Sequence, residues 1–107
     1  MKVVSFEKTL RTRGRHAVVD VTDEVAGAVR ASGVQDGVAC VYSPHTTCCF
    51  RLGDGAAELP EPAPFAPASG MFPIRNGELL NGPSRRLLFV ELDRERERSW
   101  LLQIVGD

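Results

Sequence analysis

VACVYSPHTT, residues 38–47, is an apolar run that ends in a polar corner. A turn signal precedes it, so residues 38–43 are predicted to form a buried strand. The corner then places one imidazole and two hydroxyls, those of His45, Thr46 and Thr47, at the end of that strand. Corners of this kind are where a rigid scaffold presents polar groups to a ligand. The stretch therefore predicts a core strand and a candidate site together.

The chain before this strand is predicted to form a hairpin and a helix. Residues 3–10 and 16–21 mix β-branched and charged side chains on either side of a glycine turn, which predicts two paired strands. Thr22 can cap a helix with an acidic first turn. Gly33 is the residue type that ends helices in the left-handed conformation. We therefore expect one helix between Thr22 and Gly33.

The chain after the corner is predicted to begin with a strand and a proline-rich loop. Residues 47–52 form a second extended run. Residues 56–70 contain four prolines, which remove backbone donors and exclude a persistent helix or central strand. This segment is predicted to be a surface loop, either a connector or a peptide ligand for a partner with a groove.

The last third of the chain is predicted to be β-structure. Asn76-Gly77 is the strongest two-residue hairpin signal. Residues 86–92 are almost continuously apolar, as in a central strand covered on both faces. Residues 93–98 are predicted to be a charged, solvated turn, and residues 99–105 a closing strand.

These elements predict a single α+β domain over residues 1–107, with mostly antiparallel, sandwich-like sheets and one main helix. Apolar side chains on both faces of a strand need cover that one helix cannot supply. The cover must come from a second sheet layer or from a partner subunit. Oligomerisation is therefore an expectation from the pattern alone.

Composition excludes several functional classes. A formal net charge of -1 argues against a general electrostatic interaction with nucleic acid. No apolar run approaches the roughly 20 residues that a membrane helix needs. The three cysteines cannot all pair within one chain and form no Cys-x-x-Cys motif, so free thiols in a reducing cytoplasm are expected.

Six short motifs occur in order along the chain outside the proline-rich middle: TDEV at 22–25, SGVQDG at 32–37, PHTT at 44–47, FPIRNGEL to Gly82 from residue 72, ELD at 91–93 and QIVG at 103–106. Together they resemble the YjbQ family, also called the UPF0047 family. The resemblance implies a homotrimer and links the chain to secondary thiamine-phosphate synthase activity, which joins a pyrimidine diphosphate to a thiazole phosphate. It also implies a polar pocket between subunits that uses histidines, with a divalent metal or a bound anion.

This chain departs from the family at several pocket positions. The family's Asn-Glu-Asn triplet is replaced by Gly53-Asp54-Gly55, and its two middle histidines have no counterpart. Its Gly-Thr-Trp-Gln signature becomes Gly82-Pro83-Ser84-Arg85, which lacks the aromatic ring and the amide. Only His45 remains of the histidines that the resemblance assigns to the pocket.

Two candidate catalytic residues follow. His45 can act as a metal ligand, as a general acid or base, or as a donor to a phosphate. The alternative is a histidine at a strand end that bonds a neighbouring backbone carbonyl. Asp54 can replace the family's carboxylate as a ligand or base, or it can belong to an exposed turn.

The candidate phosphate-binding residues are Thr46, Thr47, Ser84 and Arg85. The threonines can donate hydroxyls to an anion or simply be strand residues. Arg85 can bind a phosphate through two hydrogen bonds, or it can solvate a strand start. Strand alternation from residue 45 places Cys49 on the same face as the imidazole.

Two functions are consistent with these observations. The first is a trimeric scaffold with a reduced or lost pocket, because a catalytic site needs several groups in mutual reach. The second is a divergent thiamine-phosphate synthase-type transferase that uses His45 in an inter-subunit, phosphate-binding pocket.

Overall fold

The computed structural model describes residues 1–14, 17–53, 68–82 and 85–107. The elements in these ranges are β1 (Lys2–Arg11), β2 (Ala17–Asp20), α1 (Thr22–Ser32), β3 (Asp36–Tyr42), β4 (Cys48–Gly53), β5 (Ser69–Arg75), β6 (Glu78–Leu79), β7 (Arg86–Glu91) and β8 (Glu97–Gly106). The strands form a five-stranded sheet in the order β1-β8-β3-β5-β6 and a three-stranded sheet in the order β2-β7-β4. All neighbouring strands are antiparallel, and one helix accompanies them, which confirms the α+β prediction.

The core lies between the two sheets. Phe50 of β4 contacts Phe89 of its own sheet edge to face at 5.3 Å and Trp100 of the other sheet at 5.8 Å between ring centroids. Val25 and Val29 of α1 are fully buried in the same cluster. The second sheet therefore supplies the cover that the apolar strands required, and β7 is central in its sheet, as predicted.

The predicted opening hairpin is wrong. β1 pairs with β8 along all ten residues, from Lys2 opposite Gly106 to Arg11 opposite Glu97. β2 pairs with β7 in the other sheet. The physical reason is length: the four residues of β2 could satisfy fewer than half of the backbone groups along one edge of β1.

The predicted charged turn before the last strand is too long. β8 begins at Glu97, and Arg98 is only 6% exposed. Arg98 shares the inward phase of β8 with Trp100, Leu102 and Ile104, so strand alternation directs it into the core.

The strand after the corner starts one residue later than predicted. Thr46 and Thr47 form a turn, and β4 begins at Cys48. The alternation that placed Cys49 on the same face as His45 therefore does not hold. Cys49 packs with Leu88 on the outer face of the three-stranded sheet.

The C-terminal end of the helix and the hairpin turn at Asn76-Gly77 follow the sequence prediction. α1 ends at Gly33, which has φ 77°. The prediction that Thr22 caps the helix is wrong: Thr22 is the first helical residue, and the N-cap is Val21, which makes no side-chain cap hydrogen bond. The backbone N–H of Thr22 donates to the Asp20 carboxylate at 3.0 Å. Asn76 and Gly77 both have positive φ, 53° and 77°, as a tight β-hairpin turn requires.

The proline-rich segment lies mostly outside the described residues. Residues 56–67 fall there, whereas Ser69 and Gly70, which were predicted as loop, belong to β5. In the ranges that are described, α1 is too short and too polar to cross a membrane.

Candidate functional site

The His45 ring continues the end of the β3–β8 ladder. The last ladder pair is Tyr42 with Leu101, after which β3 turns away. This leaves the backbone N–H and C=O of Ser99 without a strand partner on that side. The Nε2 atom of His45 lies 3.1 Å from the Ser99 carbonyl oxygen and 3.3 Å from the Ser99 nitrogen. One ring atom thus replaces a strand residue, donating to the carbonyl in one tautomer and accepting from the N–H in the other.

The residues around His45 also line a surface groove. It has a volume of about 350 Å³ and lies on the outer face of the five-stranded sheet. Tyr42 and Pro44 form one side, Glu7 of β1 lies on the other, and Ser99 and Leu101 of β8 lie between them. His45 is not itself a lining residue: it lies beside the groove, through its chain neighbour Pro44 and its contact with Ser99. The groove is large enough for a small ligand.

A buried ion pair lies on the other side of β8. Glu91, at the end of β7, is fully buried, and Arg98 donates from Nε to its Oε2 at 2.5 Å. Thr47 donates its hydroxyl to Oε1 at 2.8 Å, and Cys48 donates its thiol to Oε2 at 2.9 Å. The backbone N–H of Asp93 adds a further donor at 3.0 Å. The carboxylate therefore has four donors, enough to replace the water that it loses on burial.

These contacts decide the protonation of the cluster. Burial works to raise the pKa of Glu91, but the hydrogen bonds from Arg98, Cys48 and Thr47 outweigh it and lower the pKa to about 2. Burial raises the pKa of Cys48 to about 12, and the hydrogen bond to Glu91 adds to that rise. At neutral pH the carboxylate is charged and the thiol keeps its proton, so Cys48 is a donor and a poor nucleophile.

The structure brings together only some of the predicted site residues. Thr47 is near His45, but its hydroxyl bonds Glu91 and Arg98, while Thr46 is exposed. Arg85 directly precedes β7, whereas Thr47 lies opposite Leu92 at the other end of the same sheet, roughly 23 Å away along the strand. One chain therefore does not join these two groups in one phosphate site. The other two predicted residues, Asp54 and Ser84, lie outside the described residues.

A metal at His45 does not fit the described part of one chain. The Nε2 atom faces the backbone of Ser99, and no group of three or more His, Cys, Asp or Glu side chains in the described ranges could hold an ion. We derive no chemistry through a metal.

Sequence reasoning missed Glu91, Arg98 and Ser99. Glu91 was assigned to a family motif without a role, and Arg98 to a solvated turn. The signal in the sequence was strand alternation. Arg98 lies two residues before Trp100 in a strand with alternating exposure, so its side chain had to point inward like that of Trp100. A buried arginine requires a carboxylate, and Glu91 ends the most apolar strand of the chain.

Comparison with known proteins supports the family resemblance. A model of the "UPF0047 protein YjbQ-like" family matches residues 6–59, a stretch that includes the His45 corner. The chain belongs to the YjbQ-like UPF0047 family. A UPF0047 protein of Archaeoglobus fulgidus is 28% identical over 87% of this chain and 94% of its own length. A UPF0047 protein of Methanocaldococcus jannaschii is 25% identical over 95% and 94%.

Solved structures agree with the UPF0047 fold. A YjbQ/UPF0047 protein of Clostridium acetobutylicum superposes with a TM-score of 0.83 at 26% identity, covering 94% of this chain and 99% of that one. A YbjQ-like protein of Sulfolobus solfataricus has a TM-score of 0.90 at 24% identity and covers 99% of both chains, which is a likeness of fold.

Proposed function

We propose that this UPF0047 protein is a self-associating scaffold, a homotrimer whose pocket is reduced or lost relative to its family. One observation carries the proposal: the outer face of the five-stranded sheet exposes apolar side chains. Val3, Val38, Tyr42 and Met71 are 59%, 38%, 45% and 70% exposed. Large apolar side chains grouped on one surface are typical of a protein interface.

These side chains belong to one continuous surface. Val3 and Val38 flank Val105 in a row across three strands, and Pro73 extends the row onto β5. Met71 lies in the next row, opposite Cys40. A second copy that covered this surface would remove it from water, at about 25 cal/mol per Å² of apolar area.

Light scattering tests the assembly. We expect a mass three times the 11.7 kDa of one chain at micromolar concentration. Val38→Glu combined with Met71→Glu should yield the single-chain mass, because two charges would be buried without partners. Ala31→Glu, on the exposed side of α1, is the matched control and should leave the trimer intact. A wild-type protein with the mass of one chain would exclude the scaffold.

A second candidate function is a divergent thiamine-phosphate synthase-type transferase. The observation in its favour is the position of His45 beside the groove, where a neighbouring copy could complete the site. This function predicts that the wild-type protein condenses the pyrimidine diphosphate with the thiazole phosphate. The rate of this reaction should be at least about 100-fold lower in His45→Ala. Equal rates for wild type and variant would remove this function.

We also propose a cytoplasmic location. The support is redox chemistry: Cys40, Cys48 and Cys49 are all free thiols, and reducing compartments preserve free thiols. Fractionation of cells that express the chain at native level would test it.

A further inference from the structure

We propose that the buried Glu91–Arg98 pair is a positioning device that holds the His45 ring against Ser99, beside the groove. The inference deepens the second candidate function, which uses the same ring. Its test follows the ring directly and does not depend on turnover.

The corner holds β8 at two consecutive residues. His45 contacts the backbone of Ser99, and Thr47, two residues further along, accepts at 3.1 Å from Nη2 of Arg98. Arg98 points to the inner face of β8, whereas Ser99 points to the outer face. The corner therefore holds the edge that β3 leaves open, with one contact to the backbone of β8 and one to an inward side chain. Loss of the contact between Thr47 and Arg98 therefore removes a restraint that lies two residues from the His45 imidazole.

Glu91 connects the inner contact to the rest of the fold. Its carboxylate accepts from Thr47 and Cys48 of the corner and from Arg98 of β8. It also pairs across the sheet with Cys48, and the backbone N–H of Leu92 donates to the Thr47 carbonyl oxygen at 2.8 Å. One carboxylate thus ties the corner, β7 and β8 together.

The free-energy cost of burying two charged side chains indicates that the pair has a role beyond stability. Buried ion pairs contribute little net stability, since apolar residues of similar volume are often as good or better. What such a pair supplies is geometry, because each hydrogen bond fixes a direction as well as a distance. Apart from the bond from Leu92 to Thr47, the backbone supports of the corner are longer: the His45 N–H donates to Ser43 Oγ at 3.3 Å, and the Cys48 N–H donates to the His45 carbonyl at 3.3 Å.

Nitrogen-15 NMR of the full chain tests the proposal, with the His45 ring assigned against a His16→Gln reference. In wild type we expect Nε2 of His45 and the amide of Ser99 to show the shifts of a hydrogen-bonded pair. Thr47→Val removes the hydroxyl with little change of shape, and Glu91→Leu combined with Arg98→Met replaces the pair by apolar side chains. Both should move these signals toward those of a free imidazole and an unpaired amide.

Two matched controls separate positioning from stability. Thr47→Ser keeps the hydroxyl and should retain the wild-type signals. Arg86→Met breaks the ion pairs to Asp20 and Asp23 at the far end of β7, and should lower stability without moving the His45 signals. Unchanged His45 signals in a folded Thr47→Val variant would overturn the proposal, even if the double variant did not fold. Loss of turnover with unchanged ring signals would instead concern the second candidate function alone.

Discussion

At the scale of single residues, the environment of Glu91 combines full burial with four hydrogen-bond donors. Its side chain is fully buried, and its two oxygens are occupied by donors from Thr47, Cys48, Asp93 and Arg98. Loss of a charged partner would leave this buried carboxylate uncompensated, which is strongly destabilising. Stability and thiol chemistry at this end of the core should therefore follow the state of Glu91.

The first prediction concerns acid. Because the pKa of Glu91 is lowered to about 2 from an ordinary value of 4.5, its contribution is complete above about pH 4.5 and is lost as pH falls toward about 2. Urea unfolding at a series of pH values should show this fall in the free energy of unfolding. Glu91→Gln, which cannot titrate, should show a smaller fall, and parallel curves for the two proteins would contradict the assignment.

The second prediction concerns the buried thiols. Burial raises the pKa of Cys49 as well as that of Cys48, so neither should form a thiolate at mildly alkaline pH. In a Cys40→Ser background, iodoacetamide should label neither thiol of the folded chain and both in concentrated urea. Mass spectrometry that found rapid labelling of Cys48 in the folded protein would refute its contact with Glu91.

At the scale of elements, β8 organises the molecule. It is paired on both sides, with β1 and with β3, and its inward residues meet both the other sheet and Glu91. β3 and β8 approach closely at one pair, Gly37 opposite Gly106. A Cβ at Gly37 would overlap the backbone of Val105 and Gly106, so the close approach requires glycine there.

Two glycine substitutions should therefore have opposite effects. Gly37→Ala forces β3 away from β8 and should lower the free energy of unfolding by about 3 kcal/mol or more. Gly27 lies in α1 with open space around it, so Gly27→Ala should raise the free energy of unfolding by about 0.5–1 kcal/mol through helix propensity. Urea denaturation measures both, and a tolerated Gly37→Ala would show that the β3–β8 contact is looser than described.

At the scale of the whole molecule, the two sheets enclose one core and leave the two sides of the five-stranded sheet different. Its inner side packs on the three-stranded sheet and on α1, while its outer side carries the exposed apolar row and the groove. The His45 corner lies where these two sides meet.

The fourth prediction follows from mass action. If the outer side is an interface, association stabilises the folded chain, and the midpoint of thermal unfolding should fall on dilution. Calorimetry over a hundredfold range of concentration should show this for wild type. The Val38→Glu, Met71→Glu variant should unfold at one temperature throughout, and a wild-type midpoint independent of concentration would argue against association.

Local features were predictable from the sequence. The end of α1 at Gly33 and the turn at Asn76-Gly77 depend on backbone preferences of single residues, and both hold in the structure. The central position of β7 depends on a run of apolar residues and also holds. His45 was identified as the polar residue at the end of β3, and a backbone carbonyl bond was one of its expected roles.

The sequence by itself determined the helix, the central strand β7, the hairpin turn at Asn76-Gly77 and the need of the apolar strands for a second layer. Only the tertiary structure decided that β1 joins β8 instead of β2, that Arg98 is buried and that Glu91 binds the corner of Thr47. Periodicity and turn chemistry act over a few residues, so they can be read locally. Strand partners and buried ion pairs join positions as far apart as Thr47 and Glu91, and their choice depends on the packing of the whole core.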